Sequence, residues 1–363
     1  MASPARIAWR LPPVWVRRCI LAPLVVLIAF VWLPIAVWVG VIVAGIVALA
    51  LPGKLRLFRV FFMIGLYLLW DALALVVMFV LWVLSGFGFA IRKPFFVRAH
   101  YRLARMMLGS LFSAARWVLR LKVVIQLDDA EGVTTGHPMI VVSRHAGPAD
   151  SFIIVNALLS RFNREPAIVL KDTLQWDPAV DVLLNRVPSR FVTPTRQRKG
   201  GAAGGAIAIG ELAAGLDGND ALLIFPEGAN ATPRRRLRRI AQLRAQGHED
   251  LATRAEGMEN VMPPHAGGVL AAMDARPDAM VVMVAHTGLE QLLTVADVWR
   301  DLPVDKTITL NGWLTDPATI PEGLREREAW LYDWWEKIDR WIDDNGPAGG
   351  APQANSAETD SPE

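Results

Sequence analysis

Two short polar turns hold the residues whose types and spacing suit chemistry. The first runs Arg144-His145-Ala146-Gly147-Pro148-Ala149-Asp150 and follows the apolar run 139–143. The second runs Pro226-Glu227-Gly228-Ala229-Asn230-Ala231-Thr232 and follows the run 221–225. A histidine that takes a proton from an alcohol works best when a carboxylate holds its second ring nitrogen and stabilises the imidazolium that forms. On a regular helix, five residues advance about 500°, about 140° net, which would point Asp150 away from His145. A turn is therefore required, and Gly147-Pro148 supplies one. The same carboxylate has a second reading, as the cap of a helix beginning at Ser151. Glu227 stands at a strand end, where an unpaired buried charge is expensive. It organises a loop, meets a cation or hydroxyl of a substrate, or opens a helix whose dipole favours an acid.

The elements that must position these turns are strands alternating with helices. Short apolar runs at 139–143, 167–170, 221–225, 280–285 and 306–310 are buried-strand candidates, each bounded by Gly, Pro or polar residues. The segments 202–216 and 324–343 read as helices. Strand and helix in alternation imply an α/β layer fold, in which pocket residues follow strand ends.

Composition sets the surroundings. Of 363 residues, 53% are apolar and only 20% charged, too apolar for an ordinary soluble chain. Cys19 is the one cysteine, which excludes a disulfide-stapled fold, zinc ribbons and CxxC redox sites. No charge occurs between Arg18 and Lys54, and only Asp71 between Arg59 and Arg92. Each run exceeds the roughly 20 residues that cross a hydrocarbon core, and the first is too long for a signal peptide, whose apolar region is about 7–15 residues. Residues 1–91 are therefore expected to be membrane-anchoring helices, with apolar runs at 19–53 and 60–91.

The first 124 residues hold fifteen Lys/Arg against one acid. Beside apolar runs, such a balance points to anionic membrane lipids, which attract each juxtamembrane Lys/Arg by about 1 kcal/mol, and not to nucleic acid. Because every flank is basic, two topologies are open: each run a re-entrant hairpin, the first bent at Pro34 and the second ended by Ser85-Gly86-Phe87-Gly88, or two plain spans. Either way the bulk of the chain is expected on the cytoplasmic side of the inner or cytoplasmic membrane. Asp71 is a functional candidate by its place in an apolar run, or a water-facing residue at a bend. Residues 95–122 alternate arginines with Phe95, Phe96, Met106 and Trp117, as an interfacial helix or as a core helix with solvated arginines. The stretch 345–363 has the composition of a disordered tail.

The order His145-x4-Asp150 and then Phe225-Pro226-Glu227-Gly228 resembles the glycerolipid acyltransferases, the family of 1-acyl-sn-glycerol-3-phosphate acyltransferase. Its members carry an HX4D motif and an FPEG-type motif. They transfer an acyl chain from acyl-CoA or acyl carrier protein to a lipid hydroxyl. The resemblance spans residues 135–345. It implies a mixed sheet flanked by helices, preceded by an all-helical membrane-anchoring segment, with an acyltransferase domain over 92–344. It implies His145 and Asp150 as catalytic residues, and Phe225, Pro226, Glu227 and Gly228 as substrate-binding residues. The acceptor is then a lysophospholipid, lysophosphatidic acid first among them; no acyl-enzyme is needed because a thioester is already activated, and no cofactor or metal is expected. Departures are specific. Gly147-Pro148 replaces the family's serine-containing turn, and Ala229-Asn230-Ala231 stands where the family has Thr-Arg-Ser. The family's middle-motif arginine falls on Pro194, with Arg196 the nearest substitute for binding phosphate and Arg190 the other. Arginines recur at 234, 235, 236, 238 and 239, either as a solvated basic loop facing anionic lipid or as phosphate ligands.

Rival chemistries fit less well. Ser143 and Ser151 flank His145, but the chain holds no GxSxG elbow for a serine hydrolase. The glycines at 200, 201, 204 and 205 fit neither the dinucleotide nor the P-loop pattern. The non-catalytic alternative is a family member that has become a membrane-anchored lipid-binding protein, or else an acyltransferase with another lipid acceptor.

Overall fold

The charge-free runs become long helices because no polar side chain interrupts them. In the computed structural model, which describes residues 11–50, 56–127, 136–147, 150–192, 201–228, 232–288 and 305–346, the first run opens with a single turn α1 (Val14–Val16) and a π-turn (Arg17–Leu21). It continues as α2 (Ala22–Ala50), and Pro34 lies inside α2 without ending it, so the first run is no hairpin bent at that proline. The second run is α3 (Arg56–Leu84), which packs along α2. It stops at the serine-glycine stretch. There Ser85 Oγ donates to the Trp82 carbonyl and accepts from the Gly88 N–H. Gly88 sits at φ +93°, and a Cβ there would lie 2.8 Å from the Trp82 indole nitrogen, so only glycine fits. The stretches Val14–Gly40 and Phe58–Leu84 are long and apolar enough to cross a membrane by length and composition.

The chain divides into two compact units. One comprises Met1–Val118 with Ala167–Ala208, the other Leu119–Pro166 with Ile209–Glu363. In the first, α2 and α3 share a core with α4 (Pro94–Leu119) and α6 (Pro178–Leu184), built from Ala22, Ala74, Leu75, Met78, Leu103, Ala179 and Val182. The face of α4 carrying His100, Tyr101, Leu103, Ala104 and Leu108 is buried, while Arg98, Arg102, Met106 and Trp117 are exposed. That is a core helix on one side and a cationic, partly apolar surface on the other. β3 (Glu165–Lys171) pairs in parallel with β4 (Ser189–Val192), which the sequence pattern does not single out.

Polar groups of the helical segments are collected on α6. Arg17 donates to Asp181 Oδ1 at 2.7 Å and to Gln175 Oε1 at 2.9 Å, and Arg18 approaches the other Asp181 oxygen. Asp177 caps α6 by accepting from the Val180 N–H and also accepts from Tyr67. Asp71 is buried and faces Asp177 and the Ala179 N–H, so it is not the water-facing residue at a bend. Removing one member of a buried ion pair strands the other at a cost of about 3–5 kcal/mol. Asp181→Ala is therefore expected to lower the unfolding temperature sharply, and thermal denaturation checks it: a wild-type melting curve would show Arg17 to be held by other contacts.

The second unit is built on five strands in the order β1 (Lys122–Leu127), β7 (Thr307–Thr315), β6 (Met280–Thr287), β2 (Met139–Ser143) and β5 (Asp220–Ile224). β6, β2 and β5 run parallel, β1 is parallel to β7, and β6 and β7 are antiparallel, so the sheet is mixed. β2 and β5 are buried at every residue, the mark of strands covered on both faces. The helices here are α5 (Asp150–Ser160), the last part of α7 (Gly201–Ala214), α8 (Pro233–Ala245), α9 (Glu249–Glu256), α10 (Ala266–Ala275) and α11 (Leu324–Asn345). α11 buries Leu331, Tyr332, Trp335, Ile338 and Ile342 and packs on β6. The chain is thus an α/β fold, a mixed sheet flanked by helices, with apolar helices at its N-terminal side.

Candidate active site

Three parallel, adjacent strands deliver the polar turns to one place. Val142 of β2 lies opposite Ile224 of β5, and Ser143 opposite Val284 of β6, so the residues after these positions leave the same edge of the sheet. In parallel sheets that edge is where ligands bind.

After β2 the chain turns through Gly147 and enters α5 at Asp150. The Asp150 side chain folds back over the turn. Its carboxylate accepts from His145 Nδ1 at 2.9 and 3.1 Å, from the Ala146 N–H at 2.8 Å, from the Gly147 N–H at 3.1 Å and from the Ser151 N–H at 2.6 Å. Both readings of this residue therefore hold together: it caps the start of α5 and grips His145. Asp150 is only 1% exposed. Burial by itself would raise its pKa, but the hydrogen bond and charge of His145, the charge of His286 and the Gly147 N–H outweigh burial and hold the carboxyl below its usual range. An ionised carboxylate only accepts. His145 Nδ1 thus carries a proton, and Nε2 is the ring nitrogen left for a substrate, on a side chain that keeps 16% of its surface.

The Phe225 ring lies 4.7 Å from the His145 ring, tilted by 33°. Beyond it the chain closes a tight turn, with the Gly228 N–H donating to the Phe225 carbonyl at 3.1 Å and Gly228 at φ +71°. The Pro226 carbonyl accepts from the His265 N–H at 2.9 Å, which ties the turn to the start of α10. Phe225, Pro226, Glu227 and Gly228 are thereby brought beside His145 and Asp150. Arg196 and the residues 229–231 lie outside the described residues. Arg190 is exposed on β4. The arginines from 234 onward do not form a loop but the helix α8, capped by Thr232. There Arg236 bonds the Ala255 and Glu256 carbonyls, while Arg238 and Leu237 are exposed.

Glu227 lies deeper than its neighbours, 2% exposed. Arg144, the backbone N–H groups of His145 and Met262 and the Trp335 indole all face it, yet neither carboxylate oxygen makes a hydrogen bond of good geometry among the described residues. Burial outweighs these groups and pushes its pKa up to about 8. A folded-state pKa above the unfolded one means that the folded protein binds the extra proton. The residue's contribution to stability is then full below about pH 4.5 and is lost as pH rises through about 8. Relative to Glu227→Gln, the wild type should melt progressively lower between pH 5 and pH 9. Parallel melting temperatures across that range would place the carboxylate in contact with water.

Two groups at the site take roles that the sequence does not assign them. Arg144, 1% exposed, donates from Nη1 to the His286 carbonyl at 3.0 Å, and His286 Nε2 lies 3.3 Å from the Arg144 carbonyl and 3.6 Å from Asp150 Oδ2. His286 ends an apolar strand and would be found only by knowing that β6 lies beside β2. Among the described residues, no group of three or more His, Cys, Asp and Glu side chains is placed to hold a metal ion.

Comparison with known proteins shows what this part of the chain is similar to. Residues 124–287 match the family model "Acyltransferase", a span that contains both turns and His286. No curated protein sequence matches the chain significantly. Among solved structures, the 1-acyl-sn-glycerophosphate (LPA) acyltransferase PlsC from Thermotoga maritima is similar, with a TM-score of 0.43 and 17% identity, over 74% of this chain and 95% of that one. Residues 124–287, which hold both polar turns, thus carry the signature of an acyltransferase domain.

Proposed function

We propose that the protein is a membrane-bound acyltransferase that moves a fatty acyl chain from an acyl thioester, acyl-CoA or acyl carrier protein, to a hydroxyl of a lysophospholipid, lysophosphatidic acid foremost. The observation that carries this reading is the His145–Asp150 pair: a partly exposed imidazole whose Nδ1–H is held at 2.9 Å by a buried, ionised carboxylate. Nε2 takes the proton of the acceptor hydroxyl as its oxygen bonds to the thioester carbonyl carbon. The C–S bond breaks, and the thiolate leaves with the proton from the imidazolium, so base and acid are the same ring. Phe225 lies against that ring, and the turn to Gly228 borders the acceptor's glycerol and phosphate. Arg196 supplies a phosphate ligand, for which a guanidinium offers a bidentate fork.

The exposed apolar side chains of α2 and α3, among them Phe30, Trp32, Trp38, Ile42 and Phe61, support anchoring in the membrane. Fifteen basic residues against one acid in the first 124 support contact with anionic lipid on the cytoplasmic side. Lipid substrates then reach the site from the bilayer. Purified protein in lipid nanodiscs, given acyl-CoA and a panel of lysophosphatidate, lysocardiolipin, lysophosphatidylcholine and glycerol 3-phosphate, tests the acceptor by release of free thiol. Turnover with lysophosphatidate exceeding the others is expected. Equal background release with every lysolipid would overturn the lysophospholipid assignment.

A further inference from the structure

Beneath the His145–Asp150 pair lies a second, fully buried layer. Asp150 stands between two imidazoles: His145 at 2.9 Å on the exposed side and His286, itself 1% exposed, at 3.6 Å on the other. His286 Nε2 also lies 3.3 Å from the Arg144 carbonyl, and a carbonyl only accepts, so this nitrogen carries its proton toward that oxygen. The Arg144 guanidinium answers by donating to the His286 carbonyl at 3.0 Å. Residues 144 and 286 therefore hold each other twice, each side chain on the other's backbone. The Arg144 carbonyl belongs to the peptide that leads into His145, and the clamp thus sets where that imidazole begins.

We propose that His286, locked by Arg144, is a positioning residue of this site: its Nε2–H holds the carbonyl of the Arg144–His145 peptide beside Asp150 Oδ2, so that His145 Nδ1 meets that oxygen in the geometry proton transfer needs. The proposal rests on the acyl-transfer reading for its catalytic consequence. Its structural content, the orientation of His145, is independent of that reading. A displaced ring loses rate without losing substrate, because small misplacements act on the transition state more than on binding.

The test uses the full chain in nanodiscs with His286→Leu, which removes the donor but fills the apolar space, and His286→Gln, whose amide N–H can stand where Nε2–H does. In folded protein of near wild-type melting temperature, His286→Leu is expected to lower kcat for acyl transfer at least 10-fold with KM for donor and acceptor changed less than 2-fold. His286→Gln should restore most of the loss. A His286→Leu enzyme with wild-type kcat, or a loss expressed in KM, or no recovery in the glutamine variant, overturns the proposal. A second readout needs no acyl transfer: the rate of carbethoxylation of His145 by diethylpyrocarbonate, followed by peptide mass spectrometry. It should change in His286→Leu and return in His286→Gln. Should the wild type transfer no acyl chain, the acyl-transfer reading fails by itself, and an unchanged His145 modification rate in His286→Leu would then overturn the positioning role separately.

Discussion

His145→Ala is expected to lower kcat for acyl transfer by about 100- to 10,000-fold, the range that a positioned general base contributes. KM for the thioester should change little, since the ring acts on the hydroxyl proton and not on the acyl chain. The effect on folding should be small. His145 is partly exposed, and its hydrogen bond to Asp150 is only one of the several bonds that hold that carboxylate. A stopped assay of labelled acyl transfer, with circular dichroism on the same preparations, checks both halves. A large drop in melting temperature would mean that the ring holds the turn together.

Asp150 carries the second large effect, and here chemistry and stability separate. In Asp150→Asn the side chain keeps its shape but offers an amide N–H in place of one acceptor oxygen. The imidazole is then driven toward the tautomer with its proton on Nε2, where it cannot accept from a substrate. A loss in kcat of about 100-fold or more is expected, with folding largely preserved. In Asp150→Ala the N–H groups of Ala146, Gly147 and Ser151 lose their acceptor as well. Each buried donor left unpaired costs about 1–3 kcal/mol, so this variant should be inactive and should also melt several degrees lower. Kinetics and thermal unfolding on both variants, side by side, separate the two roles. Equal melting temperatures would mean that the turn does not depend on its carboxylate.

Much of this arrangement is legible in the sequence, and for identifiable reasons. The strands at 139–143, 221–225 and 280–285 are short apolar runs closed by polar turns, and buried parallel strands read in just that way. The pairing of His145 with Asp150 is legible because the dipeptide Gly147-Pro148 in the sequence predicts a turn between them. Other features rest on information that lies outside any local stretch. β1 and β4 carry too mixed a pattern to stand out; β1 in particular mixes exposed and half-buried residues without a period of two. The antiparallel entry of β7 beside β6 depends on the path of the chain between them. His286 looks like the end of an apolar strand until β6 is placed next to β2, and Arg144 looks like a surface cation until its burial is known. Glu227 shows the converse: its residue type suggests a ligand for substrate, yet its place under the turn makes it a buried acid that burial renders weak.

The sequence places Gly147-Pro148 between His145 and Asp150, and the described geometry shows what the chain at this point must preserve. It must return a carboxylate to His145 Nδ1 while leaving N–H groups at 146 and 147 to hold that carboxylate. Those donors are backbone, so they survive a change of side chains.

The measurement that bears most directly on the central claim is transfer of radiolabelled acyl chains from acyl-CoA to lysophosphatidate by the wild type, His145→Ala and Asp150→Asn, all in lipid nanodiscs and all shown to be folded. Robust product from the wild type, lost by about 100-fold or more in both variants, is the predicted result. Product formation undiminished in His145→Ala would contradict the assignment of the imidazole as the base that drives the transfer.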